Sequence, residues 1–211
     1  SETPLERISG AELNEALLNA VREQGLQLLE WDEAAVQTRA RVGFLRTLEP
    51  QAWPDWSDPA LMRTLELWLA PALAGAQRLR QVNVSQALLA SLSYELRQRL
   101  NQQAPARWQS PAGSSLLIDY AAEGGPALEG RLQEVVGQDK HPATADGRVP
   151  LTLRLLSPAQ RPVQTTRDLP GFWRGSYAGV RADMRGRYPK HPWPDDPINA
   201  APTRRAKPRG S

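Results

Sequence analysis

Val149-Pro150-Leu151-Thr152-Leu153-Arg154-Leu155-Leu156-Ser157-Pro158-Ala159-Gln160-Arg161-Pro162-Val163-Gln164-Thr165-Thr166-Arg167 decides the fold class of this 211-residue chain. Two runs rich in apolar and β-branched residues, Val149 to Leu156 and Val163 to Arg167, flank a segment bounded by Pro158 and Pro162. The pattern predicts two short strands joined by a hairpin or close connection. Upstream, Ser115 to Ala121 has the same content and predicts a third strand, while Asp146-Gly147 marks a turn. Between them, Pro126 to Val136 reads as a helix with Leu128, Leu132, Val135 and Val136 inward. Downstream, Asp168 is a candidate cap, and Leu169, Phe172, Trp173, Tyr177, Val180 and Met184 recur at helical spacing, interrupted by Gly175 and Gly179. From Gly186 onward the chain is too rich in proline to sustain a helix and predicts extended, polyproline-like structure.

The first half has a different period. Ser9-Gly10-Ala11-Glu12 has the form of a capping box, Leu13, Leu17, Leu18 and Val21 follow on one face, and Gly25 stops the helix. A second helix is expected after Asp32, presenting Val36, Phe44, Leu45 and Leu48. Asp58-Pro59 reads as a cap followed by proline at the first helical position, and Leu61, Leu65, Trp68 and Leu69 continue until Pro71 and Gly75 bend or end the helix. A fourth helix is expected from Val84 to Gln103, with Leu88, Leu92, Leu96 and Leu100 in register and Pro105 closing it. No internal repeat is visible. The expected class is α+β: a helical subdomain over residues 1–104, a small mixed sheet with helices over 113–187, and an extended Pro-rich basic tail over 188–211.

Composition narrows the chemistry. The chain has no cysteine, which excludes a disulfide scaffold, a thiolate metal site and a cysteine nucleophile. The longest apolar run, Leu67 to Ala76, contains Pro71 and is far short of the roughly 20 residues that span a bilayer. A cytoplasmic protein with no membrane partner is expected. No Gly-x-x-x-x-Gly-Lys-[Ser/Thr] loop and no Asp-Glu-Ala-His string exists to hold a nucleoside triphosphate and its magnesium, so this chain alone is not expected to be an ATPase. Gly175-Ser176-Tyr177-Ala178-Gly179 places serine directly after glycine inside a helical pattern, which is not a nucleophile elbow. His141 and His191 are fifty residues apart, each beside proline, and read as solvated loop histidines rather than metal ligands. Asp195-Asp196 before Pro197 reads as a turn or cap.

Charge is unevenly spread. Arg167 to Ser211 holds ten Lys/Arg against four Asp/Glu, and the remainder holds 16 against 19. Cations displace counterions from phosphates and aromatic faces stack on unpaired bases, so a basic and aromatic end points to a single-stranded polyanion. Arg174, Arg181 and Arg185 recur at spacings of seven and four, which on one continuous helix makes a basic ridge, with Trp173 and Tyr177 as its apolar anchor. Arg167, Arg187 and Lys190 extend that set, and Arg204, Arg205, Lys207 and Arg209 close the chain. Tyr188 and Trp193 have the spacing of stacking residues, yet Trp193 between two prolines also fits a strap docked on its own domain, the reading favoured here.

A family resemblance lies along the same residues. Asp119-Tyr120, Arg131-Leu132-Gln133-Glu134, Leu153-Arg154-Leu155-Leu156-Ser157-Pro158, Thr166-Arg167-Asp168-Leu169, Phe172-Trp173-Arg174-Gly175-Ser176-Tyr177 and Arg187-Tyr188-Pro189-Lys190-His191-Pro192-Trp193-Pro194-Asp195-Asp196-Pro197 together resemble the C-terminal region of the bacterial HrpB-type ATP-dependent RNA helicases, relatives of the DEAH-box proteins. The resemblance implies an accessory domain that follows a motor core, with ATP and magnesium bound by the parent and no cofactor in this chain. The implied partners are single-stranded RNA, or DNA, and the motor domains of the same polypeptide. A protein-interaction or scaffold module with no nucleic-acid contact is the competing reading.

Overall fold

The computed structural model describes residues 9–202. It divides the chain into two compact units, one through Asn101 and one from Gln102 onward.

The first unit is helical. Helix α1 (Gly10–Gln24) opens on the capping box: the Glu12 amide donates to Ser9 Oγ at 3.2 Å and the Ser9 amide to Glu12 Oε2 at 3.4 Å. It ends at Gly25, whose φ of +102° is costly for any residue with a side chain. Helix α2 (Glu33–Leu48) starts at Asp32, which accepts from the Ala35 amide at 2.8 Å. Its inward face is Ala35, Thr38, Arg41, Val42 and Leu45, and the expected core residues Val36 and Leu48 are 41% and 37% exposed. The face is turned because α2 packs on α5 (Val84–Ala90) through a buried hydroxyl pair, Thr38 Oγ1 to Ser85 Oγ at 2.7 Å, a polar contact that hydrophobic periodicity does not register.

Two expected helices are each broken in two. Ser57, not Asp58, caps α3 (Asp58–Arg63), and the helix stops at Thr64, whose hydroxyl donates back to the Ala60 carbonyl at 2.8 Å. Helix α4 (Leu65–Trp68) and a 3-10 turn at Ala70–Leu73 follow, so that Leu61, Leu65, Trp68 and Leu69 are all buried as expected. The stretch expected as one helix from Val84 is α5 and then α6 (Tyr94–Gln103), restarted by Ser93, whose hydroxyl accepts from the Leu96 amide at 3.1 Å. Serine favours a cap over a helix interior because its short side chain competes for backbone donors.

The second unit is built on a five-stranded sheet in the order β1-β2-β3-β6-β7. Strands β6 (Thr152–Leu156) and β7 (Pro162–Thr166) form the expected antiparallel hairpin, turned by Ser157 to Arg161. Strand β2 (Ser115–Asp119) matches the third expected strand. Strand β1 (Arg107–Gln109), which pairs with β2, was not expected at all: three residues carry too little periodicity to announce it. The Asp146-Gly147 turn joins a two-residue hairpin of β4 (Ala143–Thr144) and β5 (Val149–Pro150).

The expected helix over Pro126 to Val136 is instead the central strand β3 (Ala127–Arg131) and a 3-10 turn at Leu132–Val135. Leu128, Leu132, Val135 and Val136 are inward, as the spacing predicted. The element differs because β3 is held on both sides, antiparallel to its neighbour β2 and parallel to β6, and the β6 pairing joins residues remote in sequence. Gly130 inside the run lowers its helix propensity by about 1 kcal/mol relative to alanine. No helix among the described residues is long and apolar enough to cross a membrane.

Candidate nucleic-acid interface

After β7 the chain forms two helices rather than the one the spacing suggests. Asp168 caps α7 (Leu169–Arg174), accepting from the Gly171 amide at 3.0 Å, and Gly175 ends it with φ −110° and ψ −102°, outside helical geometry. Helix α8 (Tyr177–Arg187) then starts, and Gly179 lies within it without interrupting it. The break moves Arg174 onto a different helix from Arg181 and Arg185, so the three do not form a ridge along a single helix.

The corner is filled by rings. Phe172, Trp173 and Tyr177 are buried, with Trp173 and Tyr177 edge-to-face at 5.0 Å between centroids. Trp173 Nε1 donates to the Gln138 carbonyl at 2.9 Å and the Tyr177 hydroxyl to the Pro194 carbonyl at 2.6 Å, so neither polar tip is stranded. Burial pushes the Tyr177 hydroxyl up to about 12; the Arg181 guanidinium opposes that rise and Asp195 reinforces it.

Residues 188–202 hold no helix or strand and run in turns across this corner. Trp193 is 7% exposed, and its indole N–H donates to the Tyr188 carbonyl at 2.9 Å. Arg181 Nε donates to the Trp193 carbonyl at 2.7 Å, and Arg181 Nη2 meets Asp195 Oδ1 at 2.8 Å. Farther on, the Gly137 amide donates to the Pro197 carbonyl at 2.7 Å. A Cβ at position 137 would sit 3.3 Å from the Ala200 carbonyl oxygen, on a backbone already at φ +89°. Asp196 turns the chain, accepting from Asn199 Nδ2 at 2.8 Å, and those bonds hold its carboxyl below the usual carboxylate range. The Asp195-Asp196 pair therefore serves a latch and a turn.

The predicted cations fall into three groups. Two are internal ties: Arg181, as described, and Arg167, whose Nη2 donates to the Gly124 carbonyl at 2.6 Å and whose Nε donates to Thr152 Oγ1 at 3.0 Å. Four are exposed: the side chains of Arg174, Arg185 and Lys190 make no hydrogen bond or ion pair among the described residues, and Arg187 makes a loose i,i+4 pair with Asp183 at 3.5 Å. Arg204, Arg205, Lys207 and Arg209 lie outside the described residues. Of the predicted anchors, Trp173, Tyr177 and Trp193 are buried and Tyr188 is half-buried.

Neither histidine is a freely solvated loop residue. His141 Nδ1 accepts from the Leu169 amide at 2.9 Å, which leaves Nε2 to donate to the Leu151 carbonyl at 2.6 Å; the ring ties α7 to the chain before β6. His191 stands edge-on to Tyr188 at 6.4 Å, and burial, aided by the Arg131 charge, holds its pKa below the ordinary value. No group of three or more metal-ligating side chains occurs among the described residues. A larger cleft of about 770 Å³ in the helical unit, walled by Trp31, Trp56, Arg39 and Arg46, is less suited to a polyanion because its arginines are committed. Arg39 donates to the Trp56 carbonyl and pairs with Asp58, and Arg46 donates to the carbonyls of Pro50 and Trp53.

Sequence reasoning missed the tie between Glu134 and the β1–β2 turn, where the hydroxyls of Ser110 and Ser114 each donate to the buried carboxylate at 2.7 Å. Their separation of 20 and 24 residues gives no local signal.

Comparison with known proteins places these features. A profile described as ATP-dependent helicase C-terminal (HrpB_C) matches residues 68–197. The ATP-dependent RNA helicase HrpB of Escherichia coli (strain K12) is 46% identical over 208 residues, which is 97% of this chain and 26% of that protein. The crystal structure of the E. coli DExH-box NTPase HrpB superposes with a TM-score of 0.88 at 45% identity, covering 97% of this chain and 26% of that one. The E. coli DEAH/RHA helicase HrpB structure gives 0.76 at 42% identity, over 90% and 25%. The chain thus spans about a quarter of the length of these relatives.

Proposed function

The chain belongs to the C-terminal family of HrpB-type ATP-dependent helicases, and from that premise we propose that it holds single-stranded RNA for a motor carried elsewhere in the parent polypeptide. The observation that carries this reading is the sorting of its cations. Arg167 and Arg181 are spent on internal bonds, whereas Arg174, Arg185 and Lys190 stay exposed with no partner among the described residues. Charge kept off ion pairs is available to phosphates, and the rigid aromatic corner beneath Arg174 and Arg185 fixes the helices that present it. ATP and magnesium would be bound by the parent's motor, and this chain contributes no group to the hydrolysis.

The test is a salt-titrated binding assay of the 211-residue chain with a labelled single-stranded RNA, with single-stranded DNA in parallel. With about four to six phosphates contacted, log affinity falls with log salt at a slope of about −3 to −4. Changing Arg174, Arg185 and Lys190 together to Gln shrinks that slope by about 2. A flat salt response, or an unchanged slope in the triple variant, refutes the reading.

A second reading is favoured by a different observation. Leu67 is 72% exposed and Tyr94 69% exposed in the helical unit, two large apolar side chains open to a partner. In that reading the helical unit braces the motor core by protein contact, and Leu67→Ser with Tyr94→Ser weakens association with the motor while leaving RNA affinity unchanged.

A further inference from the structure

We propose that the cleft between strand β7 and helix α8 takes one unpaired nucleotide of the bound strand, an inference that rests on the RNA-holding role above and gives it an address. The cleft measures about 310 Å³, at the small end of the range for small-molecule sites. It has room for a base with its sugar, and not for a larger cofactor. Val163 on β7 and Val180 and Met184 on α8 form an apolar floor, and Tyr188, at the end of α8, supplies an aromatic wall. Arg161, the last residue of the β6–β7 turn, and Arg187, in the last turn of α8, both line the cleft. An apolar floor, an aromatic wall and a pair of guanidinium groups are the elements that hold a base and its phosphate.

The cations are free to act. Arg161 is exposed, and its side chain makes no bond among the described residues; its backbone amide and carbonyl close the turn with Ser157, which fixes where the side chain starts. Arg187 is tied only by the 3.5 Å contact of Nε with Asp183, both side chains more than half exposed, a pairing too weak to compete with a phosphate. Asp183 also lines the cleft, and its carboxylate is an acceptor for an amino group on a base edge. The wall is fixed from behind. The Tyr188 carbonyl accepts the Trp193 indole N–H, and the Tyr188 amide donates to the Met184 carbonyl at 2.7 Å, so the strap and the end of α8 hold Tyr188 in place before any strand arrives.

The deciding experiment uses the full 211-residue chain, a labelled 12-nucleotide single-stranded RNA carrying one 4-thiouridine, and three arginine variants. Arg161→Gln lowers affinity about tenfold and reduces the salt slope by about 0.7, the value of one phosphate on a single strand. Arg97→Gln, the same charge change on an exposed arginine of the helical unit, does neither. Photocrosslinks from the thiouridine map to the peptide spanning Met184 and Tyr188. Equal losses for Arg161→Gln and Arg97→Gln, or no change with Arg161→Gln, overturn the cleft. If Arg174→Gln still weakens binding in that case, the RNA-holding role stands without it. If the wild-type chain shows no salt-dependent binding, the role itself fails and the cleft with it.

Discussion

Removing the indole of Trp193 separates the two roles that an aromatic residue between prolines can play. At 7% exposure the side chain buries nearly all of its surface, on the order of 200 Å² for a tryptophan. At about 25 cal/mol per Å² that is roughly 5 kcal/mol, an upper figure, because an unfolded chain already buries 10–40% of such area. Two considerations lower it further. The Tyr188 carbonyl that loses the indole N–H can be rehydrated, and a segment docked on one face can detach, which caps the loss at the free energy of its own docking. Trp193→Ala is therefore expected to destabilise the second unit by about 2–4 kcal/mol, in line with large-to-small penalties in cores. Urea unfolding of the whole chain, followed by far-ultraviolet circular dichroism, measures the loss. Hydrogen exchange locates it, since the amides of His191, Ala200 and Gly137 are bonded within or by the docked segment and should lose protection first. Trp193→Phe keeps most of the buried area and forfeits the one hydrogen bond, at about 1 kcal/mol. The reasoning is refuted if Trp193→Ala unfolds at the wild-type urea concentration while its RNA affinity drops by about 1–3 kcal/mol, which is what an exposed stacking platform would do.

Two further outcomes follow from groups buried nearby. Tyr177 is neutral when buried, with burial raising its folded pKa to about 12 from an ordinary value of 10.0, so its contribution to stability is complete below pH 10 and lost as pH rises through 12. Tyr177→Phe should flatten that alkaline loss in a pH series of urea midpoints, and an identical pH profile in the two proteins would count against burial as the cause. Glu134 holds the β1–β2 turn through two serine hydroxyls, and Glu134→Ala leaves both without their acceptor, at an expected cost of about 1–3 kcal/mol. Ser114→Ala, which removes a hydroxyl whose bond goes to Glu134, should add little more on the alanine background, and full additivity in the thermodynamic cycle would show that the hydroxyl and the carboxylate act separately.

What the sequence made legible follows the range of the forces involved. The capping box at Ser9 and Glu12, the stop at Gly25 and the β6–β7 hairpin are set by residues within a few positions of one another, and all were readable. Burial was legible even where the element was not: Leu128, Leu132, Val135 and Val136 are inward because apolar groups leave water in any backbone geometry. That Ala127–Arg131 is a strand depends on partners at Thr152 to Leu156, which no local window contains. The site suffered most from one backbone event. Counting residues from Arg174 to Arg185 assumes a continuous helix, and Gly175 breaks it, so a periodicity that was correct within α8 was wrong across the corner. Which arginines are consumed was equally hidden, because Arg181 meets Trp193 and Asp195 only after the chain has turned back, and Arg167 reaches Gly124 across 43 residues.

That consumption of cations has a functional logic. A charge spent on a carbonyl and a carboxylate, as in Arg181, fixes a strap; a charge left exposed, as in Arg185 four residues on, remains available to a partner. Both kinds occur on α8, and the strap that Arg181 holds is the one whose Trp193 supports the Tyr188 backbone. The wall of the β7–α8 cleft thus depends on a residue that does not line it. Arg181→Gln should therefore weaken RNA binding more than the loss of one solvent-screened charge predicts, with the excess appearing as lower stability of the docked segment rather than as a shallower salt dependence. If Arg181→Gln changed the salt slope as Arg185→Gln does and left exchange protection at His191 intact, Arg181 would be a phosphate contact, and the division between structural and free cations would have to be redrawn.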